Sequence, residues 1–182
     1  MNLESYLIAR KKTDRDFGEV KNILHTVMGL LTELDELMDC EAFEITDEAG
    51  DVIWYLYKPL SYNTNWMGRK RDYTQLGDDL RSLVRGYKIE DIKRKALDSY
   101  KKVEYQEHNL NAMRKDGFTH LEIFQMLMAF AFEQVEMKLI RYGLDIGLIF
   151  DKNISKLSAR FEGGNFDARK SMNRDDELNK KV

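Results

Sequence analysis

Apolar residues recur at helical spacing along the first half of the chain. Between Phe17 and Asp39 they form one broad stripe: Val20, Ile23, Leu24, Val27, Leu30, Leu31, Leu34, Leu37 and Met38. This spacing predicts an amphipathic helix over the whole segment. A second helix is predicted from Phe43 to Lys58. It is expected to end there because Pro59 disfavours helical backbone in the residue before it.

The second half of the chain has the same periodicity, interrupted by glycines. Further helices are predicted at 73–85, 89–114, 119–142 and 144–160. Gly86, Gly117 and Gly143 follow the first three of these segments, and glycine commonly ends a helix. The segments 62–71 and 161–166 hold turn-forming residues and are predicted to be connections.

The fold class predicted from this pattern is all-α. Pro59 is the only proline, and runs of alternating β-branched residues are missing, so nothing breaks long helices and nothing favours strands. A chain of 182 residues is long enough for one domain with a buried core. We therefore expect a single helical bundle at 1–170, followed by a polar tail at 171–182.

Composition and charge narrow the class of protein. Hydrophobic residues make up 43% and charged residues 34% of the chain, with a formal net charge of −3, which is typical of soluble globular proteins. Mixed charges of this kind favour neither a nucleic-acid polymer nor an anionic membrane as partner. Cys40 is the only cysteine, and Met1–Lys12 holds no apolar run of signal-peptide length. We therefore expect a cytoplasmic protein without an internal disulfide.

Two pairs of acidic residues stand at i, i+3 spacing on the first two predicted helices. A helical wheel groups them with their neighbours on one face of each helix. The face of the first helix holds His25, Gly29, Thr32, Glu33, Glu36 and Cys40. The face of the second holds Glu44, Glu48, Asp51 and Tyr55.

A solvent-exposed polar face is the simplest interpretation of any one such pair, but two observations favour a partly buried site. The segment Val52–Tyr57 is apolar almost all round, so Glu48 and Asp51 border a buried surface. Gly29 costs about 1 kcal/mol relative to alanine in a helix interior. A glycine on the acidic face therefore suggests that another group comes close to the backbone there.

Four partly buried carboxylates need a counter-charge. Hard divalent cations supply it through oxygen ligands, and Mg²⁺ shares its remaining positions with substrate phosphates. The acids therefore predict a site for phosphoryl chemistry that uses Mg²⁺, or Mn²⁺ in its place. A ferritin-like di-iron bundle is less well supported, because it needs Glu-x-x-His pairs. None of His25, His108 and His120 lies three residues after a glutamate.

Three segments of the chain resemble, in order, the motifs of the MazG-like, all-α nucleoside triphosphate pyrophosphatases. They are 24–39 (LHTVMGLLTELDELMD), 47–56 (DEAGDVIWYL) and 153–161 (NISKLSARF). The resemblance implies a helical bundle of that type, with extra helices between the second and third motifs. It implies that Glu33, Glu36, Glu48 and Asp51 hold Mg²⁺ and carry catalysis. The implied reaction hydrolyses a nucleoside or deoxynucleoside triphosphate to the monophosphate and pyrophosphate.

The third motif supplies candidates for binding the substrate. Asn153, Lys156 and Arg160 lie on roughly one face of the last predicted helix. The two cations suit phosphate oxygens, and the asparagine suits a phosphate, a sugar or a ligand carboxylate. An exposed charged face is the alternative for the same spacing. Neither cation offers an oxygen ligand, so we expect both to leave the metal affinity of the nucleotide-free protein unchanged.

Two aromatic residues on the acidic faces are further candidates for contact with the substrate. His25 lies about two turns before Glu33 and is expected to contact the nucleobase or to support a metal ligand. Tyr55 shares a face with Glu48 and Asp51 and could stack on a nucleobase. An aromatic residue at helical spacing is, however, more often part of a core.

Glu133 and Glu136 repeat the acidic spacing on the apolar helix at 119–142. They are expected to pair with cations or to face water, and they stay outside the metal set. Bulky apolar residues cover most of the circumference of this helix. It is therefore predicted to lie centrally or in the interface of a homodimer or higher homo-oligomer.

Thr32 precedes Glu33 at a position where many MazG-like proteins carry a second acid. One candidate base or second-metal ligand is therefore missing, which favours, as an alternative, a helical interaction protein that has lost catalysis. Another alternative is dUTPase-like specificity within the same superfamily. Release of pyrophosphate from a panel of deoxynucleoside triphosphates with Mg²⁺ distinguishes these possibilities.

Overall fold

The computed structural model describes residues 1–62 and 84–160. Within these ranges regular structure is helical, apart from one antiparallel bridge between Met113 and Thr119. The elements are α1 (Leu3–Lys12), α2 (Glu19–Asp39), α3 (Ile45–Leu56), α4 (Lys58–Tyr62), α5 (Ile89–Lys102), a π-helical turn (Val103–Glu107), α6 (His120–Tyr142) and α7 (Ile146–Arg160). The predicted all-α class is confirmed for the described part of the chain.

Four of these helices, α2, α3, α6 and α7, fall on predicted segments, with ends shifted by a few residues. Both ends of α6 carry residues that commonly begin or end a helix. Thr119 and Glu122 form a capping box, in which each side chain accepts a hydrogen bond from the other residue's backbone N–H. Gly143 follows the last turn with a φ of 62°, a left-handed conformation that glycine adopts without steric cost.

Helix α1 was not predicted from the sequence. Its buried residues are Tyr6, Leu7 and Arg10. A cation therefore takes a core position one turn after two apolar residues, and the hydrophobic stripe that identifies a helix is interrupted.

The predicted helix at 89–114 is wrong beyond residue 107. After α5 the π-helical turn ends at His108, which has a φ of 51° and so leaves the right-handed helical conformation. The Asn109 side chain then accepts a hydrogen bond from the backbone N–H of Asn111. This local bond competes with continued helix, as asparagine commonly does.

Several predictions concern residues outside the described ranges. The helix at 73–85 and the connection at 62–71 fall almost wholly between the two ranges, and the loop at 161–166 and the tail at 171–182 follow the second. The division into a domain at 1–170 and a tail therefore stays a prediction.

Helix α6 is the centre of the core and packs against α2, α3 and α5. Its buried side chains cover most of its circumference: His120, Ile123, Phe124, Met126, Leu127, Met128, Ala129, Ala131, Phe132, Val135 and Leu139. Burial within one chain accounts for the apolar circumference that suggested an interface, so the homo-oligomer stays a prediction. None of the helices described combines the length and the hydropathy that a membrane crossing requires.

Helices α2 and α3 pack side by side and run in opposite directions. Near the start of α2, the ring of His25 lies 5.4 Å from that of Tyr55, near the end of α3. Farther along α2, Glu33 and Glu36 meet Glu48 from the first turn of α3. The α2–α3 hairpin therefore has an aromatic end and an acidic end.

Candidate metal centre

Three glutamates converge at the acidic end of the hairpin. One carboxylate oxygen from each of Glu33, Glu36 and Glu48 lies within 4.8 Å of the other two. Glu33 is 7% exposed, whereas Glu48 is half-buried and Glu36 is exposed. The group, called the glutamate triad below, therefore extends from the core to the solvent, where it is accessible to a dissolved ion.

The surroundings of Glu48 disfavour its negative charge. Burial raises the pKa of its carboxyl above the usual range, and the carboxylates of Asp51, Glu36 and Glu44 raise it further, against the opposing effect of Lys156. Its Oε2 atom is buried and has no hydrogen-bond partner among the described residues. A bound cation would satisfy this oxygen and remove the repulsion.

The donor atoms of the triad fit a hard divalent cation. All of them are carboxylate oxygens, with neither an imidazole nor a thiol in the group that the described residues form. Mg²⁺ prefers oxygen ligands, and Mn²⁺ shares that preference, whereas thiolates select softer metals. The triad could therefore hold a hard divalent cation, and the identity of the metal stays a prediction.

Asp51, the fourth predicted ligand, is engaged with α7. Its Oδ2 accepts a hydrogen bond from Lys156 Nζ at 2.6 Å, and its Oδ1 accepts one from Asn153 Nδ2 at 3.4 Å. Both carboxylate oxygens are thus occupied by residues of the third motif. Asp51 lies beside the triad, since its charge acts on the pKa of Glu48, but it does not belong to it.

Asn153 joins three helices. It is 3% exposed, and its Oδ1 accepts a hydrogen bond from the hydroxyl of Tyr6 in α1 at 3.0 Å. A Cβ at Gly50 of α3 would lie 3.2 Å from the Asn153 side chain, so glycine permits the close packing of α3 and α7. The amide predicted to bind substrate is therefore engaged within the protein, where it holds Asp51 in place.

Lys156 and Arg160 follow Asn153 along α7, and both are half-buried. Lys156 reaches the neighbourhood of the triad through its ion pair with Asp51. Arg160 is the last residue of the helix, one turn farther on. The structure thus brings the lysine of the third motif to the acids of the second.

Gly29 makes room for an aromatic ring. A Cβ at this position would lie 2.2 Å from Cε1 of Tyr55, far inside van der Waals contact. The predicted close approach to the backbone is confirmed, and the approaching group is the Tyr55 ring. Tyr55 is half-buried and packed in the hairpin, and stacking on a nucleobase stays a prediction.

His25 lies at the aromatic end of the hairpin. Its ring makes edge contacts with the rings of Phe17, Trp54 and Tyr55. Burial and, to a smaller extent, the nearby Lys58 ammonium lower its pKa to about 4, so the imidazole is neutral at neutral pH. Its Nδ1 atom is buried without a hydrogen-bond partner among the described residues. The sequence had grouped His25 with the glutamates because both lie on one face of α2.

The remaining acidic and nucleophilic candidates stay outside the triad. Glu133 and Glu136 are half-buried on α6 and do not join the ligand group found in the described ranges. Burial raises the pKa of the Cys40 thiol, which lowers the fraction of nucleophilic thiolate.

The sequence pattern missed the role of α1. Tyr6 of this helix orients Asn153, and no periodicity pointed to it. Arg10 forms a buried ion cluster with Asp14 and Lys58, in which Arg10 Nη2 lies 2.9 Å from Asp14 Oδ2 and Lys58 Nζ lies 2.6 Å from each Asp14 oxygen. The i, i+4 spacing of Arg10 and Asp14 was the available signal.

Comparison with known proteins gives no match: no family model matches the chain, and neither a curated protein nor a solved structure does. A functional assignment therefore depends on the geometry of the triad and on the motif resemblance.

Proposed function

We propose that the chain is a divalent-metal-dependent hydrolase that cleaves nucleoside or deoxynucleoside triphosphates to the monophosphate and pyrophosphate. The observation that carries the proposal is the convergence of Glu33, Glu36 and Glu48, with a buried and unpartnered Oε2 on Glu48. A cation of the third motif, Lys156, stands beside them through Asp51. A metal–triphosphate complex requires carboxylates that bind the metal and a nearby cation that binds phosphate.

The residues have separate tasks in this reaction. Glu33, Glu36 and Glu48 hold Mg²⁺, or Mn²⁺ in its place. When bound, the metal lowers the pKa of an attacking water and offsets negative charge on the phosphates. Asp51 adds its charge to the site and orients Lys156.

Lys156 and Arg160 act on the phosphates. As the α–β anhydride bond breaks, negative charge builds on the departing pyrophosphate. Fixed cations stabilise that charge more in the transition state than in the ground state, which raises the rate. His25 and Tyr55, toward the aromatic end of the hairpin, remain the candidates for contact with the nucleobase.

The test is product analysis with each of the common ribo- and deoxyribonucleoside triphosphates in the presence of Mg²⁺. We expect the monophosphate and pyrophosphate in equal amounts, and no free phosphate. In ¹⁸O-labelled water, attack at the α phosphorus places the label in the monophosphate. Strong preference for dUTP over dTTP and dCTP would identify the dUTPase-like specificity.

Matched variants link the activity to the triad. Glu48→Gln removes a ligand charge and should abolish hydrolysis, whereas Asp47→Asn removes an exposed charge one residue away and should preserve it. Free phosphate as the product, or full activity in Glu48→Gln, would contradict the proposal.

One observation favours the non-catalytic alternative. The hydroxyl of Thr32, at the position where a second acid is missing, donates a hydrogen bond to the carbonyl of Gly29 at 2.9 Å. Its side chain is thus engaged with its own helix. A helical protein that binds Mg²⁺ but hydrolyses none of the triphosphates would support this alternative.

A further inference from the structure

Lys156 forms an ion pair with Asp51, a carboxylate beside the glutamate triad. Its Nζ lies 2.6 Å from Asp51 Oδ2, a short charge-assisted hydrogen bond. The two side chains are 30% and 28% exposed, so water reaches the pair and either partner can exchange. Lys156, from the third motif, therefore neutralises Asp51, from the second motif.

The rest of the Asp51 carboxylate is held from the same helix. Asn153, one turn before Lys156, donates to Asp51 Oδ1, and its own Oδ1 is fixed by the hydroxyl of Tyr6. Because Asn153 is 3% exposed, this side of Asp51 is part of the packed structure. The ion pair on Oδ2 is the exchangeable side.

The Lys156 ammonium also acts on the glutamate triad. Glu33, Glu36 and Glu48 lie within 4.8 Å of one another, and the charge of Lys156 opposes the rise that the neighbouring carboxylates cause in the pKa of Glu48. A divalent cation that enters the triad repels the Lys156 ammonium and attracts Asp51. Two cations then compete for Asp51 Oδ2.

We propose that Lys156 is an internal counter-ion of Asp51 that the divalent metal displaces, so that loading the metal releases the ammonium group to bind the phosphates. The inference rests on the proposed function and adds a coupling to it. Because linkage is reciprocal, a triphosphate that takes up Lys156 makes Asp51 available and tightens the binding of the metal. This replaces the expectation from sequence that Lys156 leaves metal affinity unchanged.

The experiment is calorimetric titration of Mn²⁺ into the full-length, nucleotide-free protein. Lys156→Met should bind Mn²⁺ about 5-fold more tightly than wild type, the size expected for loss of a partly exposed ion pair. Lys156→Gln should give the same change, and the two variants guard against a local packing artefact. Lys152→Met is the matched control, since it removes the same charge from an exposed position one turn earlier on α7 and should change nothing.

A double-mutant cycle separates competition from simple charge removal. In the Asp51→Asn background, Lys156→Met should have no further effect, because the contested carboxylate is gone. Unchanged or weaker binding in the Lys156 variants would overturn the inference while leaving the proposed function intact, and so would equal tightening with and without Asp51. Failure of the wild type to bind Mn²⁺ would overturn both.

Discussion

Two charged clusters of this protein are built in opposite ways. In the buried ion cluster, Asp14 lies between Arg10 and Lys58, and the side chains of all three are at most 2% exposed. In the glutamate triad, like charges face one another and one buried oxygen has no partner among the described residues. Opposite charges therefore meet in the ion cluster, whereas like charges meet in the triad.

The ion cluster is supported by interactions within the fold. Lys58 Nζ donates to both oxygens of Asp14 and to the carbonyl of Arg15, and Arg10 Nε donates to the carbonyl of Trp54. Burial nevertheless lowers the pKa of Lys58 to about 8 in spite of Asp14. Pairing here offsets the desolvation of the charges and ties α1 to the end of α3 and the start of α4.

Buried charges in the two clusters should therefore serve different purposes. Where opposite charges and hydrogen bonds meet inside the fold, substitution should damage stability. Where like charges meet and an oxygen is left unpartnered, substitution should damage binding and relieve the empty protein. The two clusters should therefore respond oppositely to the loss of one carboxylate.

The largest expected effect is on the ion cluster. Asp14→Ala leaves the buried Arg10 and Lys58 without the carboxylate that joins them, and should lower the free energy of unfolding by about 3–5 kcal/mol. Urea denaturation followed by circular dichroism measures the change. Asp39→Ala, at the exposed end of α2, is the control and should stay within about 0.5 kcal/mol of wild type. A small effect of Asp14→Ala would mean that the cluster is not structural.

The opposite response is expected in the triad. Glu48→Gln should weaken Mn²⁺ binding by roughly 10²-fold, because a hard-cation site loses one of its charged ligands. The metal-free variant should be at least as stable as wild type, since repulsion among the carboxylates falls. Calorimetry and urea denaturation on one preparation measure both quantities, with Asp47→Asn as the matched control. A destabilised Glu48→Gln would place the triad in the same class as the ion cluster.

A third substitution tests the packing that connects the two ends of the hairpin. Gly29→Ala gains up to about 1 kcal/mol of helix propensity, but its Cβ would stand 2.2 Å from the Tyr55 ring. Overpacking of this kind costs about 1–3 kcal/mol, so we expect a net loss of stability. Lys21→Ala, at an exposed position of the same helix, is the control. If Gly29→Ala is stabilising, Tyr55 moves aside without cost and the contact is loose.

The smallest effect is in the pH dependence of the metal-free protein. The folded state raises the pKa of Glu48 above its usual 4.5, so folding favours the protonated carboxyl. The stability that this protonation contributes is complete below pH 4.5. That contribution is lost as the pH rises from there through the raised pKa. The difference in unfolding free energy between wild type and Glu48→Gln should therefore shift in favour of the variant over this window. Saturating Mg²⁺ should reverse the shift, and a difference that does not vary with pH would contradict it.

Sequence periodicity was sufficient for the parts of the fold that depend on one helix at a time. The apolar stripe of α2 and the apolar segment after Asp51 fixed which faces are buried. The acidic residues could then be assigned to the other faces of the same two helices. Gly29 indicated a close approach to the backbone, because a glycine inside a helix lowers its stability relative to alanine. The sequence could not identify Tyr55 as the neighbouring group.

Pairings between distant segments could not be predicted in the same way. Lys156 and Asp51 are far apart in the chain, and their contact depends on how α7 crosses α3 at Gly50. Helix α1 was not predicted because Arg10 is buried at a position where an apolar residue is expected. The charge of Arg10 is offset by Asp14, four residues later, and by the carbonyl of Trp54, which the packing of α1 against α3 brings close.

The most direct test of the metal centre is a crystal structure of the full-length protein soaked with Mn²⁺, with the anomalous signal of manganese used to locate the metal. We expect a peak at the glutamate triad, within about 2.5 Å of carboxylate oxygens from Glu33, Glu36 and Glu48. The peak should weaken strongly in Glu48→Gln and persist in Asp47→Asn. No peak at the triad under saturating Mn²⁺, or one that persists unchanged in Glu48→Gln, would contradict the metal centre.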